Sequence, residues 1–418
     1  MAVFLFVYAV NFNGLPNFSY IGILIFPILA LLVPKCFNNI NFILSNKSFY
    51  RLLMMFLLFL GISLVPLVVH GTGETNLVFT IMHSVVSVPA CMAISALIVP
   101  KNSRNNIKNL IFLLSFLLKV QVVFIILMLL NADIRDFVFS LIRSDSIIER
   151  MSVYKGSRGL GVAGSAAYGL ATFLAINYVI YFFLLYVYRK DSFVWSDYFW
   201  MILSSVALLS AGRTAVLGIV ILPVLLLVYS VYYKKIKVNK WFFSFLIFSL
   251  LILSLWYVYD FFELYKNPAI ARYVFYVFEP IDLFLRTGSF EVTSLQGLNN
   301  MYFYPGDKTF IFGDGKYIAD NGGYYGSVDA GYMRFILYGG IFYQAAVTLI
   351  FILFFYCAFK ISNIFIPGVK LLLIVLFFMS LAFHYKGDFI MLSVAVNKIY
   401  LIVLFYMILL KKKAIKQS

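Results

Sequence analysis

The chain has 418 residues, of which 63% are hydrophobic and only 12% are charged. A soluble globular chain carries about 25% charged residues, so this composition excludes an ordinary soluble domain and predicts a membrane protein. The net charge of +16 would favour a nucleic-acid partner in a soluble protein, but here it follows the membrane topology, and no nucleic acid is expected.

Long apolar stretches predict an all-α, polytopic bundle of about eleven or twelve transmembrane helices, because one span needs roughly 20 apolar residues. The predicted spans are 18–34, 51–69, 77–99, 110–130, 161–188, 193–211, 214–233, 241–259, 331–358, 369–384 and 389–410. The apolar segment 1–13 is too short to be assigned as a span, and is either a twelfth helix or an interfacial one.

Two connections are much longer than the others, 131–160 and 260–330. The second has roughly seventy residues, which is too long for a simple connector and typical of a functional loop. Its glycines and prolines predict short helices broken by turns. We therefore expect a single membrane domain over 1–418 that carries these two large loops.

Basic residues divide the connections into two alternating sets, and this division predicts the orientation of the chain. One set has 18 basic residues and two acids, Asp191 and Asp197, whereas the other has 13 basic residues and 15 acids. Because the positively charged set is normally cytoplasmic, we expect the C-terminus inside and both long loops outside.

Arginine is concentrated in the outer set. That set has eight arginines and five lysines, whereas the inner set has three arginines and fifteen lysines. An arginine fork grips phosphate or carboxylate in two places, so the group predicts anion binding outside. Three arginines at span ends carry this argument: Arg158, Arg213 and Arg334. For any one arginine, a salt bridge with an outer acid is the more ordinary explanation.

Other polar candidates lie near the same surface. His384, which precedes Lys386 in an outer turn, is either a base for a sugar hydroxyl or an interfacial histidine. Asp314 and Asp329 are either bases, groups that orient a hydroxyl, or structural partners of arginines. Lys398 lies shallowly in the last span, where it either contacts a lipid-linked phosphate or snorkels to the interface. No metal-ligand spacing and no outer D-x-D occur, so neither metal nor cofactor is expected.

The layout resembles the O-antigen polymerase (Wzy) family of bacterial inner-membrane proteins. Short motifs agree with it: RGLG at 158–161 before GSAAYG at 164–169, SAGRTA at 210–215, GDG at 313–315, DAGYMR at 329–334 and YGG at 338–340. In each large loop an arginine and a glycine are separated by fifteen residues, as in some family members: Arg143 with Gly159, and Arg272 with Gly288.

The resemblance implies a metal-independent glycosyltransferase of the inner membrane that joins oligosaccharide repeat units carried on undecaprenyl pyrophosphate. It implies membrane lipids and this lipid-linked oligosaccharide as partners, and leaves open whether a separate chain-length regulator docks on the protein. Asp329 or His384 would then act as base. The residues assigned to substrate binding are Arg143, Arg158, Arg213, Arg272, Arg286, Asp314, Tyr332, Arg334, Lys386 and Lys398.

Two other functions are compatible with the sequence. An O-antigen ligase uses the same donor and shares the Gly-Arg turn, but ligases tend to carry a histidine in the large loop, and 260–330 has none. A flippase for the same lipid-linked units would need charged residues along a central cavity. Only Lys119 and Lys398 support that function. The polymerase is therefore the preferred interpretation.

Overall fold

The computed structural model describes residues 1–99, 107–142, 161–165, 167–189, 192–234, 266, 268–288, 293–320, 322–362 and 368–415. Within these ranges the regular structure is helical, and the only pairing of strand type is an isolated bridge between Ile318 and Tyr324. The helices are α1 (Ala2–Val7), α2 (Phe18–Leu32), α3 (Pro34–Leu44), α4 (Lys47–His70), α5 (Asn76–Val86), α6 (Val88–Ile98), α7 (Lys108–Leu130), α8 (Ala132–Ile142), α9 (Tyr168–Tyr188), α10 (Trp195–Ala211), α11 (Val216–Lys234), α12 (Pro268–Thr287), α13 (Thr293–Asn300), α14 (Asp307–Phe312), α15 (Gly331–Ile361), α16 (Val369–Lys386) and α17 (Val394–Ile415).

Eight segments of the described chain are helical, long and apolar enough to cross a membrane, which confirms the polytopic helix bundle. They are Lys47–His70, Asn76–Ile98, Lys108–Leu130, Tyr168–Tyr188, Arg213–Tyr233, Gly331–Ile361, Val369–Lys386 and Val394–Lys412. The pair α2 and α3, which is bent by 111°, makes a ninth if it is counted as one broken span. Of the other predicted spans, 193–211 contains the 17-residue helix α10, and 241–259 lies outside the described residues.

The first residues fold into the bundle instead of forming a further span. Helix α1 has six residues, too few to cross a membrane, and its Phe4 and Phe6 side chains are buried. The Tyr8 hydroxyl donates to the Leu117 carbonyl of α7 at 2.9 Å. Gly164 passes so close that a Cβ there would lie 2.3 Å from the Ala9 carbonyl oxygen. The N-terminal segment is therefore wedged between α7 and the approach to α9.

The loop before α15 is fastened to that helix at a kink. Gly340 has φ +76°, and a Cβ there would lie 2.0 Å from the Ile311 carbonyl oxygen of α14. The kink frees backbone carbonyls inside a spanning helix, and these need new donors. The amides of Asp314 and Gly315 supply them, donating to Leu337 at 2.7 Å and to Tyr338 at 2.9 Å. The loop is thereby held against the first turns of α15.

Candidate functional site

Arg334 lies in the first turn of α15 and is 4% exposed. Its guanidinium forms an ion pair with Asp388, which follows α16, and donates to the Tyr317 carbonyl at 3.2 Å. The rings of Tyr317 and Tyr324 lie on the guanidinium, each with its centroid 3.9 Å from Cζ. Two helix ends and the loop that precedes α15 thus meet at one buried arginine.

The Arg334–Asp388 pair retains unused hydrogen-bonding capacity. One Asp388 oxygen, Oδ2, accepts from both Arg334 and the Tyr317 hydroxyl. The other, Oδ1, and the arginine Nε are buried without a partner in the described part of the chain. Because unsatisfied buried polar atoms are costly, these two atoms leave hydrogen-bonding capacity for a water or a ligand hydroxyl.

The two carboxyl groups of this region have altered acidity. Burial raises the pKa of Asp388 to about 6, although Arg334 and Tyr317 oppose the rise. Burial also raises the pKa of Asp329, and the positive charges of Arg334 and Lys386 oppose it. Asp329 and Asp388 therefore share one electrostatic environment, in which Asp329 further raises the pKa of Asp388.

His384, in the last turn of α16, is fully buried between aromatic rings. Its ring centroid lies 4.6 Å from that of Tyr332 and 4.8 Å from that of Phe335. The Phe389 amide donates to Nδ1 at 3.2 Å. The ring is held by this backbone contact, and its burial removes it from any substrate. This arrangement favours a positioning role over the predicted role as base.

Close helix packing holds the His384 turn in place. A Cβ on Gly331 would lie 2.4 Å from the His384 carbonyl oxygen and 2.5 Å from that of Gly387, so only glycine fits at the start of α15. The Tyr168 hydroxyl of α9 donates to the Phe383 carbonyl. Three spanning helices therefore fix the turn from which Asp388 projects.

The other described outer arginines are also paired. Arg213 forms an ion pair with Glu279 of α12, and its Cζ lies 4.2 Å from the Tyr276 ring centroid. Its Nε is buried without a partner in the described residues. Arg286 is largely exposed and pairs with Asp282 one turn earlier in the same helix. The ordinary salt-bridge explanation thus applies to each of these arginines, alongside any role in anion binding.

Asp314 and Lys398 have their own local partners. Asp314 accepts from Thr309 at 2.8 Å and from Tyr325 at 3.1 Å, which holds the loop before α15. Lys398 is fully buried and donates to the Phe6 carbonyl at 2.7 Å. In this structure Lys398 fastens the N-terminal segment and is not open to a phosphate.

Of the predicted site residues, the structure brings Asp329, Arg334 and Lys386 together, with Tyr332 and His384 packed beneath. The Tyr332 hydroxyl donates to the Leu381 carbonyl at 3.1 Å, which ties α15 to α16. Arg143, Arg158 and the Arg272 side chain lie outside the described residues.

Asp388, Tyr317 and Glu279 are not among the site residues predicted from the sequence. For Asp388 a signal was present: it is the only acid in the short turn after α16, opposite an arginine at a span end. For Tyr317 and Glu279 no local pattern was available, because their arginine partners are distant in sequence.

Comparisons with protein-family models, curated proteins and solved structures gave no match to this chain. Within the described residues, no group of three or more His, Cys, Asp or Glu side chains is placed to hold a metal ion.

Proposed function

We propose that this chain is an O-antigen polymerase, a membrane glycosyltransferase that joins oligosaccharide units carried on undecaprenyl pyrophosphate at the periplasmic face of the bacterial inner membrane. The observation that carries the proposal is the buried Arg334–Asp388 pair with its unsatisfied donor and acceptor, beside Asp329 and between tyrosine rings. Sugar hydroxyls and pyrophosphate oxygens are the groups that such an arrangement recognises.

The proposed reaction is a single displacement. The hydroxyl oxygen at the non-reducing end of an acceptor unit bonds to the anomeric carbon of the growing chain. The bond from that carbon to the pyrophosphate oxygen breaks, and undecaprenyl pyrophosphate leaves with the electron pair. The hydroxyl proton passes to a carboxylate. Of the two predicted bases, Asp329 is better placed than His384, since it is only partly buried. Its raised pKa makes it a stronger base than an ordinary aspartate.

Arg213 supplies a second contact for the anion. Its side chain is 21% exposed, and its carboxylate partner Glu279 is on α12, within the second large loop. A pyrophosphate can replace Glu279 at this guanidinium and bind it through two oxygens. Positive charge at this position stabilises the leaving group as negative charge develops on it.

The proposal is tested by deleting the gene in its host and separating the lipopolysaccharide on a gel. Loss of a polymerase leaves one repeat unit on the core. Loss of a ligase or a flippase leaves none, and that outcome would refute the proposal in favour of one of those functions.

A second experiment tests the base. In proteoliposomes with lipid-linked repeat units, Asp329→Asn should lower the polymerisation rate by about 10²- to 10⁴-fold, because no carboxylate accepts the proton. Asp307→Asn, an exposed position in α14, is the matched control and should retain the wild-type rate. Full activity of Asp329→Asn would exclude Asp329 as the base.

A further inference from the structure

Two tyrosines form a parallel stack at the end of α16, the helix that Asp388 follows. The ring centroids of Tyr302 and Tyr385 are 4.8 Å apart and their planes differ by 9°. Tyr302 precedes α14, and its hydroxyl donates to the Tyr385 carbonyl near the end of α16. Tyr385 is 42% exposed, so the stack is fixed by the protein on one side and open on another.

A third tyrosine presents a second open aromatic surface. Tyr324 packs on the Arg334 guanidinium, with 3.9 Å between Cζ and the ring centroid, yet 47% of the residue is exposed. The guanidinium holds this ring in one orientation. Such a ring loses little conformational freedom when a ligand stacks on it.

Asp329 and Lys386 lie near these aromatic surfaces. The Asp329 amide contacts the Met301 sulfur at 3.3 Å, which places Asp329 beside Tyr302. Burial and then the Asp329 charge raise the pKa of Tyr324, so this carboxylate is also within electrostatic range of the second ring. Lys386, which follows Tyr385, acts on Asp329 in turn.

We propose that Tyr302, Tyr385, Tyr324 and Asp329 form a subsite for one pyranose ring of the acceptor. This inference rests on the proposed function and specifies its substrate contact. The apolar C–H face of a pyranose stacks on a tyrosine ring, while its hydroxyls donate to a carboxylate. A subsite of a few fixed polar groups among aromatic rings gives the orientation that the transfer requires.

The alternative role for these tyrosines is anchoring in the membrane interface, where tyrosine is common. The two roles differ in what they need. Interfacial anchoring requires the amphipathic ring alone, whereas a sugar subsite requires a stack of fixed geometry next to a hydroxyl acceptor.

The test is saturation-transfer NMR on the purified full-length protein in nanodiscs. The probes are the methyl pyranosides of glucose, galactose, mannose and N-acetylglucosamine. We expect transfer to at least one probe, strongest at the ring protons of one face. Tyr385→Ala and Tyr302→Ala should weaken its binding about tenfold, because each removes one ring of the stack.

A further variant serves as the control. Tyr304→Ala removes an exposed tyrosine of the same loop, 64% exposed, outside the stack, and should leave binding unchanged. Thermal unfolding of each variant separates a binding defect from a folding defect.

Absence of transfer to all four pyranosides would overturn the subsite. Wild-type binding by both Tyr385→Ala and Tyr302→Ala would overturn it as well, and would leave membrane anchoring as their role. These failures are distinguishable from a failure of the proposed function. Pyranoside binding by a protein that does not polymerise supports the subsite. Polymerisation by the variants that lack the tyrosine stack refutes only the subsite.

Discussion

The ion pair between Arg334 and Asp388 can affect both the stability of the fold and the proposed chemistry. Breaking a buried pair leaves one charge without compensation, at a cost of about 3–5 kcal/mol, whereas removing both charges is much less costly. A loss of activity in a single variant would therefore not show whether the arginine binds substrate.

A double substitution separates the two effects. We expect Arg334→Met to lower the free energy of unfolding by about 3–5 kcal/mol and to abolish polymerisation. Arg334→Met combined with Asp388→Asn should recover most of the stability but none of the activity, as measured by thermal unfolding and by chain length in proteoliposomes. Arg286→Met should change stability by about 1 kcal/mol or less, since its pair is exposed. Recovered activity in the double variant would limit the pair to a structural role.

The pH dependence is a second property of single residues. Burial raises the pKa of Asp388 from 3.8 to about 6. As the pH falls, the folded protein therefore takes up a proton at this site at a higher pH than the unfolded chain does. The stability contributed by this residue is thus greatest below 3.8 and is lost as the pH rises through about 6. Acidification from neutral pH should protonate Asp388 and remove the charge that pairs with Arg334, which should slow polymerisation without destabilising the fold at this site.

The check is to record the initial rate and the thermal midpoint on one preparation between about pH 5 and pH 7.5. We expect the rate to fall below about pH 6 while this residue's contribution to the midpoint rises. Asp388→Asn should lose that contribution. If the thermal midpoint fell together with the rate, and fell equally in the wild type and in Asp388→Asn, the loss of activity would be due to unfolding.

At the scale of helices, the site depends on close backbone contacts that only glycine allows. Gly331 brings α15 against the end of α16, and Gly340 lets α14 press on the kink of α15. The Gly340 contact fixes the loop that carries Tyr317 and Tyr324, and the Gly331 contact fixes the turn that carries Asp388. The helices thus act as a frame for loop residues that could not hold a buried arginine by themselves.

The glycine contact at the kink gives a direct prediction. Gly340→Ala should destabilise the protein by about 2 kcal/mol or more, because a Cβ at φ +76° would be strained and would lie 2.0 Å from the Ile311 carbonyl oxygen. Gly61→Ala in α4 is the matched control, since nothing lies within 4 Å of its Cβ position. Equal thermal midpoints for the two variants would refute the role of the kink.

Sequence periodicity and composition predicted the spanning helices well, because a span is a local property of some twenty residues. They could not place the N-terminal segment, whose burial depends on contacts with α7 and with Gly164. They predicted arginines at the outer surface but not their partners. Asp388 is the only acid in the short turn after α16, but it lies 54 positions from Arg334, so the packing of α15 against α16 is needed to establish the pair.

At the scale of the whole molecule, the sorting of charge predicts how the bundle sits in the membrane. Lysines predominate in one set of connections and arginines in the other. The Arg334–Asp388 pair and the tyrosine stack lie at helix ends on the arginine-rich side. The proposed function requires that side to face the periplasm, where the lipid-linked units are joined.

Cysteine labelling in intact cells tests this orientation. The native residues Cys36, Cys91 and Cys357 are buried, with 3%, 0% and 8% exposure, so they should give little background. Lys308→Cys, exposed in α14, should react with a membrane-impermeant maleimide added outside the cytoplasmic membrane. Ser45→Cys, exposed between α3 and α4, should react only after that membrane is permeabilised. The reverse pattern would place the arginine-rich surface in the cytoplasm, where a polymerase of lipid-linked units could not work on its substrate.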